Sequence, residues 1–375
     1  MKRIYLDHNA TSVLRPEARS AMIAAMDAGG NPSSVHGEGR EARKRLDLAR
    51  EQVAGLVGVR PDMVVFTSGG TEANNLALHG APVDRVIVAA TEHPAILEAG
   101  RLGNKALKVV PVDADGIVDL QRLEDVLAAD RRPALVSVML ANNETGAVQP
   151  VQQIAEIARK HDALVHTDAV QAAGKIEVSF LLLGVDLLTI TAHKFGGPQG
   201  AGALVVRDGL DVMPLVTGGG QELKRRGGTE NVVAIAGFGA ACEQAAEGLA
   251  KAPDEVRSLR DRLQVGIATV TPEVQIFSGG ADRLPNTLCF AHPDMNAEMM
   301  LISFDLDGIA VSSGSACSSG KVNTSHVLEA MNVAPELAKG AIRVSLGWNS
   351  TVEDIERFTE VWTKIAERHG ARKAA

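Results

Sequence analysis

Residues 188–198 read LTITAHKFGGP, and this stretch decides how the chain folds. A short apolar segment, typical of a buried strand, ends in a turn of small residues that carries Lys194. Thr191 and His193 lie beside it and suit a phosphate. A lysine in an apolar, glycine-rich setting can lose its proton and form a Schiff base, although most lysines lie in surface turns. The stretch therefore predicts a strand whose end carries either a reactive amine or an ordinary surface lysine.

Further strand-sized apolar segments precede this one, at residues 64–67, 85–89, 107–110, 135–139 and 163–166. Segments between them, such as 41–57 and 152–160, have apolar residues at helical spacing. Continuous apolar strands that alternate with helices predict an α/β fold, in which helices cover both faces of a mainly parallel central sheet.

The pattern changes after about residue 250. Helices that begin at Ala252 and Val352, together with strand candidates at 274–277, 287–290 and 342–346, predict a smaller α/β domain. The chain has 375 residues, whereas a single core stops growing near about 250–300. We predict a large domain of residues 14–250 and a small domain formed by residues 1–13 and 251–375.

Composition argues against several classes of protein. Hydrophobic residues make up 45% of the chain and charged residues 22%, which indicates a folded protein. With 38 Lys and Arg against 46 Asp and Glu, the net charge is −8, which argues against a nucleic-acid binder. Aromatic residues are only 3%, so platforms for base stacking are also not expected.

The three cysteines indicate a reducing compartment. They form no metal-binding spacing, and an odd number suits no disulfide framework, so we predict no metal site. Cys242 and Cys289 lie among apolar neighbours and are predicted core residues. No apolar run reaches about 18 residues, and the N-terminus has no signal-peptide pattern. We therefore expect a cytoplasmic protein without membrane contact.

Two more predicted strand ends carry polar groups. Residues 64–75, VVFTSGGTEANN, run from a strand through Gly70 and Thr71 into a helix. Glycines and a helix N-terminus can bind a phosphate, although a plain turn with a threonine cap has the same pattern. In 165–171, VHTDAVQ, Asp168 can pair with a protonated pyridine nitrogen, and Gln171 could reach a ring hydroxyl; the alternative is an aspartate that caps a helix. Together with Lys194, these ends predict a pyridoxal 5'-phosphate (PLP) site.

Two further motifs lie in the predicted small domain. Residues 311–321, VSSGSACSSGK, form a loop of small residues with Cys317 at its centre. Such a loop can swing a thiolate between sites, or it can simply hold a free cysteine. Arg343 lies on the apolar strand AIRVSLG, where a buried guanidinium needs an anion. That anion is either a substrate carboxylate or an internal Asp or Glu.

These residues together resemble cysteine desulfurases of the NifS and IscS kind, which are class V, fold-type I PLP enzymes. The resemblance covers nearly the whole chain. The HK-x-x-GP pattern at Lys194 marks the superfamily, and SSGSAC, which ends at Cys317, marks the group I desulfurases. The other matching segments are 5–11, 31–36, 91–95, 142–146, 218–222 and 226–231.

The resemblance implies how the cofactor would be held. Lys194 would carry PLP, Asp168 would pair with its pyridine nitrogen, and Gln171 would contact its ring oxygen. The phosphate would be held by Gly70, Thr71, Thr191 and His193. Thr229 would reach the phosphate across a subunit interface, so the resemblance also implies a homodimer.

The resemblance assigns the remaining residues to catalysis and the substrate. His93 would stack on the ring and move protons, and Cys317 would take the sulfur. Asn143 would lie near the ring oxygen and the substrate, Arg343 would bind the cysteine carboxylate, and Asn9 would help to position the substrate. Without the resemblance, His93 is typical of a cap or loop, and Asn143 of a turn.

The implied activity is removal of sulfur from L-cysteine, which gives L-alanine and a persulfide on Cys317. An acceptor protein, such as an iron–sulfur scaffold or a carrier for tRNA thiolation, would receive the sulfur. A selenocysteine lyase or an aminotransferase on the same scaffold is the alternative. A non-catalytic binding relative is least favoured, because Lys194, Asp168, His93 and Cys317 are all present.

Overall fold

A computed structural model of the protein describes residues 3–313 and 325–374. The helices are α1 (Pro16–Ala28), α2 (Gly37–Val57), α3 (Gly70–Gly80), α4 (Pro94–Leu102), α5 (Leu120–Ala129), α6 (Val151–Lys160), α7 (Phe180–Leu183), α8 (Val232–Gly248), α9 (Ala252–Val270), α10 (Ala297–Leu306), α11 (His326–Ala330), α12 (Pro335–Ala338) and α13 (Val352–Ala374). The strands are β1 (Ile4–Tyr5), β2 (Val64–Thr67), β3 (Arg85–Ala89), β4 (Ala106–Val110), β5 (Ala134–Ser137), β6 (Leu164–Asp168), β7 (Leu187–Thr191), β8 (Gly202–Val206), β9 (Gln275–Ile276), β10 (Thr287–Ala291), β11 (Ile309–Ala310) and β12 (Ala341–Ser345).

The central sheet has seven strands in the order β2-β8-β7-β6-β5-β3-β4. The pairs among β4, β3, β5, β6 and β7 are parallel, whereas β8 is antiparallel to both of its neighbours. The predicted mainly parallel α/β sheet is therefore confirmed, and β8 is a strand that the patterns above do not predict. Because only β8 is reversed, the carboxyl ends of the other six strands lie at one edge of the sheet.

Both faces of this sheet are buried. Along the strands, alternate side chains enter two separate apolar clusters, with Phe66 and Leu188 in one and Val65 and Leu187 in the other. Helices α2, α5, α6 and α8 contribute to the first cluster, and α3 and α4 to the second. Burial on both faces explains why these strands are apolar throughout.

The remaining strands form two small sheets. Strand β10 lies between β12 and β9 in an antiparallel sheet, and β1 pairs in parallel with β11. Their core contains Trp362 of α13 and Phe290 of β10, whose rings meet edge to face at 5.4 Å. The division into residues 14–250, and 1–13 with 251–375, stays a prediction.

The segment that follows β1 connects the two groups of sheets. The backbone N–H of Asn9 donates to Oγ of Ser345, which ends β12, at 2.9 Å. The backbone carbonyl of Asn9 accepts from Nζ of Lys194 at 2.6 Å. Asn9 is thereby fixed between the end of β12 and the turn that follows β7.

Candidate active site

An open cavity of about 320 Å³ lies at the carboxyl edge of the central sheet. Of the thirteen residues predicted for the site, the cavity is lined by Asn9, Gly70, Thr71, His93, Asn143, Asp168, Gln171, Thr191, His193, Lys194 and Arg343. Thr229 lines a different depression, together with Ser68 and Arg226. Cys317 lies outside the described residues. Open α/β sheets bind ligands at this edge, because the loops after parallel strands meet there.

Lys194 lies at the end of a short 3₁₀ turn, Ala192–Lys194, that follows β7. Its Nζ donates to the carbonyls of Asn9 at 2.6 Å and Ala10 at 3.0 Å. Gly196 has φ 97°, a conformation that favours glycine, so the chain can turn sharply after the lysine. Lys194 is thus directed into the cavity.

The N-terminus of α3 supplies backbone donors to the cavity. This helix begins at Gly70, within three residues of the end of β2. A Cβ added at Gly70 would lie 3.0 Å from Cγ2 of Val170, so a larger residue would crowd the cavity. A Cβ added at Gly202 of β8 would lie 2.6 Å from the carbonyl carbon of Gly69. The glycines therefore allow three backbone segments to approach closely at a place suited to an anion.

Two predicted phosphate residues have partners within the chain. Thr191 donates its hydroxyl hydrogen to the carbonyl of Ala201 at 3.0 Å. Nδ1 of His193 lies 3.3 Å from Oγ1 of Thr11. Burial, together with the charges of Lys194 and Lys175, lowers the pKa of His193 to about 4, so its ring is neutral at pH 7.

Asp168 is hydrogen-bonded through both oxygens. Oδ2 accepts from Nδ2 of Asn74 at 2.6 Å, and Oδ1 accepts from the backbone N–H of Val170 at 2.9 Å. Asp168 ends a strand and caps no helix. The sequence interpretation assigned no role to Asn74, although it lies four residues after Gly70 on the same helix, a spacing that places both on one face.

His93 is both a helix cap and a cavity residue. It is the N-cap of α4, and its Nδ1 accepts from the backbone N–H of Ala95 at 3.1 Å. With Nδ1 as acceptor, the neutral ring carries its proton on Nε2. Burial lowers the pKa of His93; Asp168 opposes this shift, while Lys194 and His326 add to it.

Arg343 was predicted to pair with either a substrate carboxylate or an internal Asp or Glu, and the structure shows an internal pair with Asp7. Its NH2 group donates to Oδ1 of Asp7 at 2.8 Å, and NH1 donates to the carbonyl of Asn143 at 3.0 Å. The side chain is only 4% exposed. Its buried Nε has no hydrogen-bond partner among residues 3–313 and 325–374. Arg343 therefore retains a donor in the wall of the cavity.

Lys175 was not predicted for the site. It follows Gln171 by four residues, and its Nζ lies 2.8 Å from Oε1 of Gln171 and 2.8 Å from Oδ1 of Asn9. Only the spacing of four residues from Gln171 is visible in the sequence. The contact with Asn9 joins residues that are 166 positions apart.

The residues on either side of the Cys317 loop are held beside the cavity. Ser312 exchanges backbone hydrogen bonds with Arg343, at 3.1 and 2.7 Å. Oγ of Ser325 donates to the buried Glu144 at 2.5 Å, and Nε2 of His326 donates to the carbonyl of Glu92 at 2.9 Å. The residues that flank the loop are thereby bonded to Arg343, which lines the cavity, and to Glu144 and Glu92, which are next in the sequence to the cavity residues Asn143 and His93.

The model of the class V aminotransferase family matches residues 4–358 of this chain. The chain belongs to that family. Class V aminotransferases depend on PLP, so both the resemblance and the predicted cofactor are confirmed.

Individual relatives are similar to this chain over almost their full length. The cysteine desulfurase IscS of Dictyoglomus turgidum is 42% identical over 98% of this chain and 96% of that protein. A cysteine desulfurase of Cereibacter sphaeroides is 44% identical over 98% and 97%. The structure of a NifS-like protein from Rickettsia africae matches with a TM-score of 0.91 and 38% identity, over 97% of this chain and 99% of that one.

The side chains of the cavity fit PLP. Lys194 supplies an amine, Asp168 supplies a carboxylate with fixed orientation, and Gly70 leaves open the space that a Cβ would narrow at the start of α3. Amine, carboxylate and helix N-terminus correspond to the aldehyde, pyridine nitrogen and phosphate of the cofactor.

A cluster of potential metal ligands lies apart from the cavity. Among the described residues, one group of three potential metal ligands, His292, Asp294 and His369, has its ligand atoms within 4.8 Å of one another. None of the three lines the cavity. In the part of the chain that the structure describes, no helix is long and apolar enough to cross a membrane.

Proposed function

We propose that the protein is a PLP-dependent cysteine desulfurase, which takes the sulfur of L-cysteine and releases L-alanine. The observation that carries the proposal is the convergence of Lys194, Asp168 and the N-terminus of α3 on one cavity that Arg343 also lines. The relatives named cysteine desulfurase support the same activity, and so does a structure of SspA in complex with cysteine, which matches with a TM-score of 0.79 and 30% identity.

Lys194 would hold the cofactor covalently, with Asp168 at the pyridine nitrogen, Gln171 at the ring oxygen and the start of α3 at the phosphate. The bound cofactor supplies an electron-withdrawing ring that stabilises negative charge at the substrate Cα. Lys194 then carries the Cα proton, and His93 moves the proton of the substrate thiol. Because Nδ1 of His93 is used by Ala95, that proton would pass through Nε2.

The substrate carboxylate would be bound by Arg343. Its Nε is a buried donor without a partner in the described chain, and a carboxylate at this place would satisfy it. Asn143 would position the substrate beside Arg343, and Asn9 would act indirectly by holding Asn143, because the carbonyl of Asn143 accepts from both Asn9 and Arg343. The site would therefore favour substrates that carry a carboxylate over thiols and amines that lack one.

Cys317 would accept the sulfur. Its thiolate attacks the substrate sulfur and forms an S–S bond, while the C–S bond breaks and its electron pair stays with the carbon, which takes a proton to give alanine. Cys317 follows Ser313 by four residues, which span at most about 14 Å when extended. Because Ser312 is bonded to Arg343, this length is compatible with reaching the cavity.

The active protein would be a homodimer that passes sulfur to an acceptor protein in the cytoplasm. Thr229 is exposed and lies outside the cavity of its own chain, as expected if it serves the other subunit. Four large apolar side chains that precede Thr229 are exposed by 41–71%: Met213, Leu215, Val216 and Leu223. Exposed apolar side chains close together in the sequence suit burial against a second copy. The acceptor would be an iron–sulfur scaffold or a carrier for tRNA thiolation.

The proposal is tested with purified, PLP-loaded protein. L-Cysteine should be converted to alanine, and borohydride reduction followed by peptide mapping should find the cofactor on Lys194. Lys194→Ala should form no alanine and carry no reduced cofactor. Lys105→Ala is the matched control, because Lys105 is also partly buried but donates to the backbone carbonyls of Leu78, His79 and Ala81 and does not line the cavity. Absence of the reduced cofactor on Lys194 in the wild type would exclude the mechanism.

A further inference from the structure

We propose that Lys175 is a positioning residue that fixes the side-chain amides of Gln171 and Asn9, so that Gln171 presents its Nε2 group to the cofactor. This inference rests on the proposed function and assigns a role within its site. It concerns a lysine that neither carries the cofactor nor lines the main cavity.

The orientation of Gln171 follows from the chemistry of its partner. Nζ of Lys175 lies 2.8 Å from one end of the Gln171 amide. The other end lies 3.0 Å from the backbone carbonyl of Asn9, which can only accept, so that end is Nε2 and the end that faces Lys175 is the acceptor Oε1. Nε2 donates one hydrogen to the carbonyl of Asn9 at 3.0 Å and keeps a second hydrogen. Gln171 lines the cavity, so this second hydrogen is available to an anionic ring oxygen.

The side chain of Asn9, to which Lys175 also bonds, is held in place by several hydrogen bonds. Its Nδ2 donates to the carbonyl of Asn143 at 3.2 Å and to Oγ1 of Thr287 at 2.9 Å. Its Oδ1 accepts from Nδ2 of Asn286 at 3.0 Å and from Lys175 at 2.8 Å. All four hydrogen-bonding positions of this amide are used, so Asn9 cannot rotate without breaking several bonds. Lys175 therefore ties the cofactor residue Gln171 to a rigid anchor.

The hydrogen bonds do not depend on the charge of Lys175. No carboxylate bonds to its Nζ among the described residues, and Lys194, Arg343, His8 and His193 are the charged or titratable groups that it influences or that influence it. Burial lowers the pKa of Lys175 well below its usual value, and the charges of Lys194 and Arg343 lower it further. A neutral amine has two hydrogens and an ammonium has three, so either form can serve both amide oxygens.

The first test replaces the donor. Lys175→Met keeps a long apolar stem but removes both hydrogen bonds, so the Gln171 amide loses its fixed orientation. Apo-protein reconstituted with PLP should bind it roughly three- to tenfold more weakly, the effect of about one hydrogen bond. The pH titration of the cofactor absorbance should shift as well. Lys105→Met, which removes a structural lysine far from Gln171, should leave both measurements unchanged.

The second test asks whether Lys175 acts through Gln171. In a Gln171→Ala background, Lys175→Met should cause no further loss of PLP affinity, because the amide that it orients is absent. An equal loss in both backgrounds, or wild-type affinity and absorbance in Lys175→Met, would overturn the inference. Either result would leave the proposed function standing if the wild type still carries PLP on Lys194 and forms alanine. Failure of those two wild-type results would instead refute the proposed function.

Discussion

Replacing Arg343 by lysine tests its two predicted roles separately, namely the ion pair with Asp7 and the binding of the substrate carboxylate. The guanidinium now donates to Asp7 and to the carbonyl of Asn143, and its Nε remains without a partner in the described chain. Lysine can keep the bond to Asp7, because that bond needs only one donor. It cannot also form the two parallel bonds that a guanidinium offers to a carboxylate. Arg343→Lys should therefore preserve the internal ion pair and lose substrate binding.

The expected size of the effect follows from the lost bond. A hydrogen bond to a charged group contributes about 1.5–3 kcal/mol, which corresponds to roughly a 10- to 150-fold fall in kcat/KM for L-cysteine. PLP affinity should not change, because Arg343 is not assigned to the cofactor. The loss should appear mainly in KM, since the carboxylate does not react and is bound alike before and during the reaction.

The assay is steady-state alanine formation over a range of L-cysteine concentrations. Arg85→Lys is the matched control: Arg85 is also a buried strand arginine, 3% exposed, but it donates to the backbone carbonyls of Val126 in α5 and of Arg132, which precedes β5. The control should lose stability without a change in KM. If Arg343→Lys instead unfolds more easily while KM stays at the wild-type value, Arg343 serves Asp7 alone and the carboxylate site lies elsewhere.

Three further outcomes are expected. Cys317→Ala should keep the cofactor absorbance but form no protein persulfide by mass spectrometry, and full alanine production with an acceptor protein would contradict this. Gly202→Ala should weaken PLP binding several-fold, because its Cβ would lie 2.6 Å from the backbone of Gly69, whereas Gly55→Ala has open space and should not. Burial lowers the pKa of His166 to about 3, so the folded ring stays neutral while the unfolded one takes a proton below about pH 6.5. The contribution of His166 to the free energy of unfolding is complete above pH 6.5 and falls by about 1.4 kcal/mol per pH unit as the pH drops toward 3. The urea midpoint of His166→Asn should therefore fall less steeply with decreasing pH than that of the wild type.

The positions of the main site residues could be predicted because they follow local patterns. Gly70, Asp168 and Lys194 each follow an apolar run, and parallel strands bring their carboxyl ends to one edge. The reversed strand β8 does not disturb this, since it reverses direction between β7 and β2 and leaves those two parallel to each other. Its own direction could not be predicted, because its residues are as apolar as those of the parallel strands.

Partners that are distant in the sequence could not be predicted. Asp7 and Arg343 are 336 positions apart, and nothing in either segment indicates the other. The same holds for Asn74 and Asp168, which are 94 positions apart. A polar residue in an apolar segment shows that a partner must exist, because burial without one is costly, but only the assembled fold shows which residue it is.

Several alternatives that the sequence left open are not exclusive. His93 caps α4 and also lines the cavity, and Arg343 pairs with Asp7 while its Nε has no partner among the described residues. A substitution by alanine at His93 would therefore remove a helix cap together with a proton carrier, and the two losses could not be separated. Asparagine retains an oxygen that can accept from Ala95, and it is among the preferred N-cap residues. Only a replacement that keeps the structural bond isolates the chemical role, because the fold and the reaction use different atoms of the same side chain.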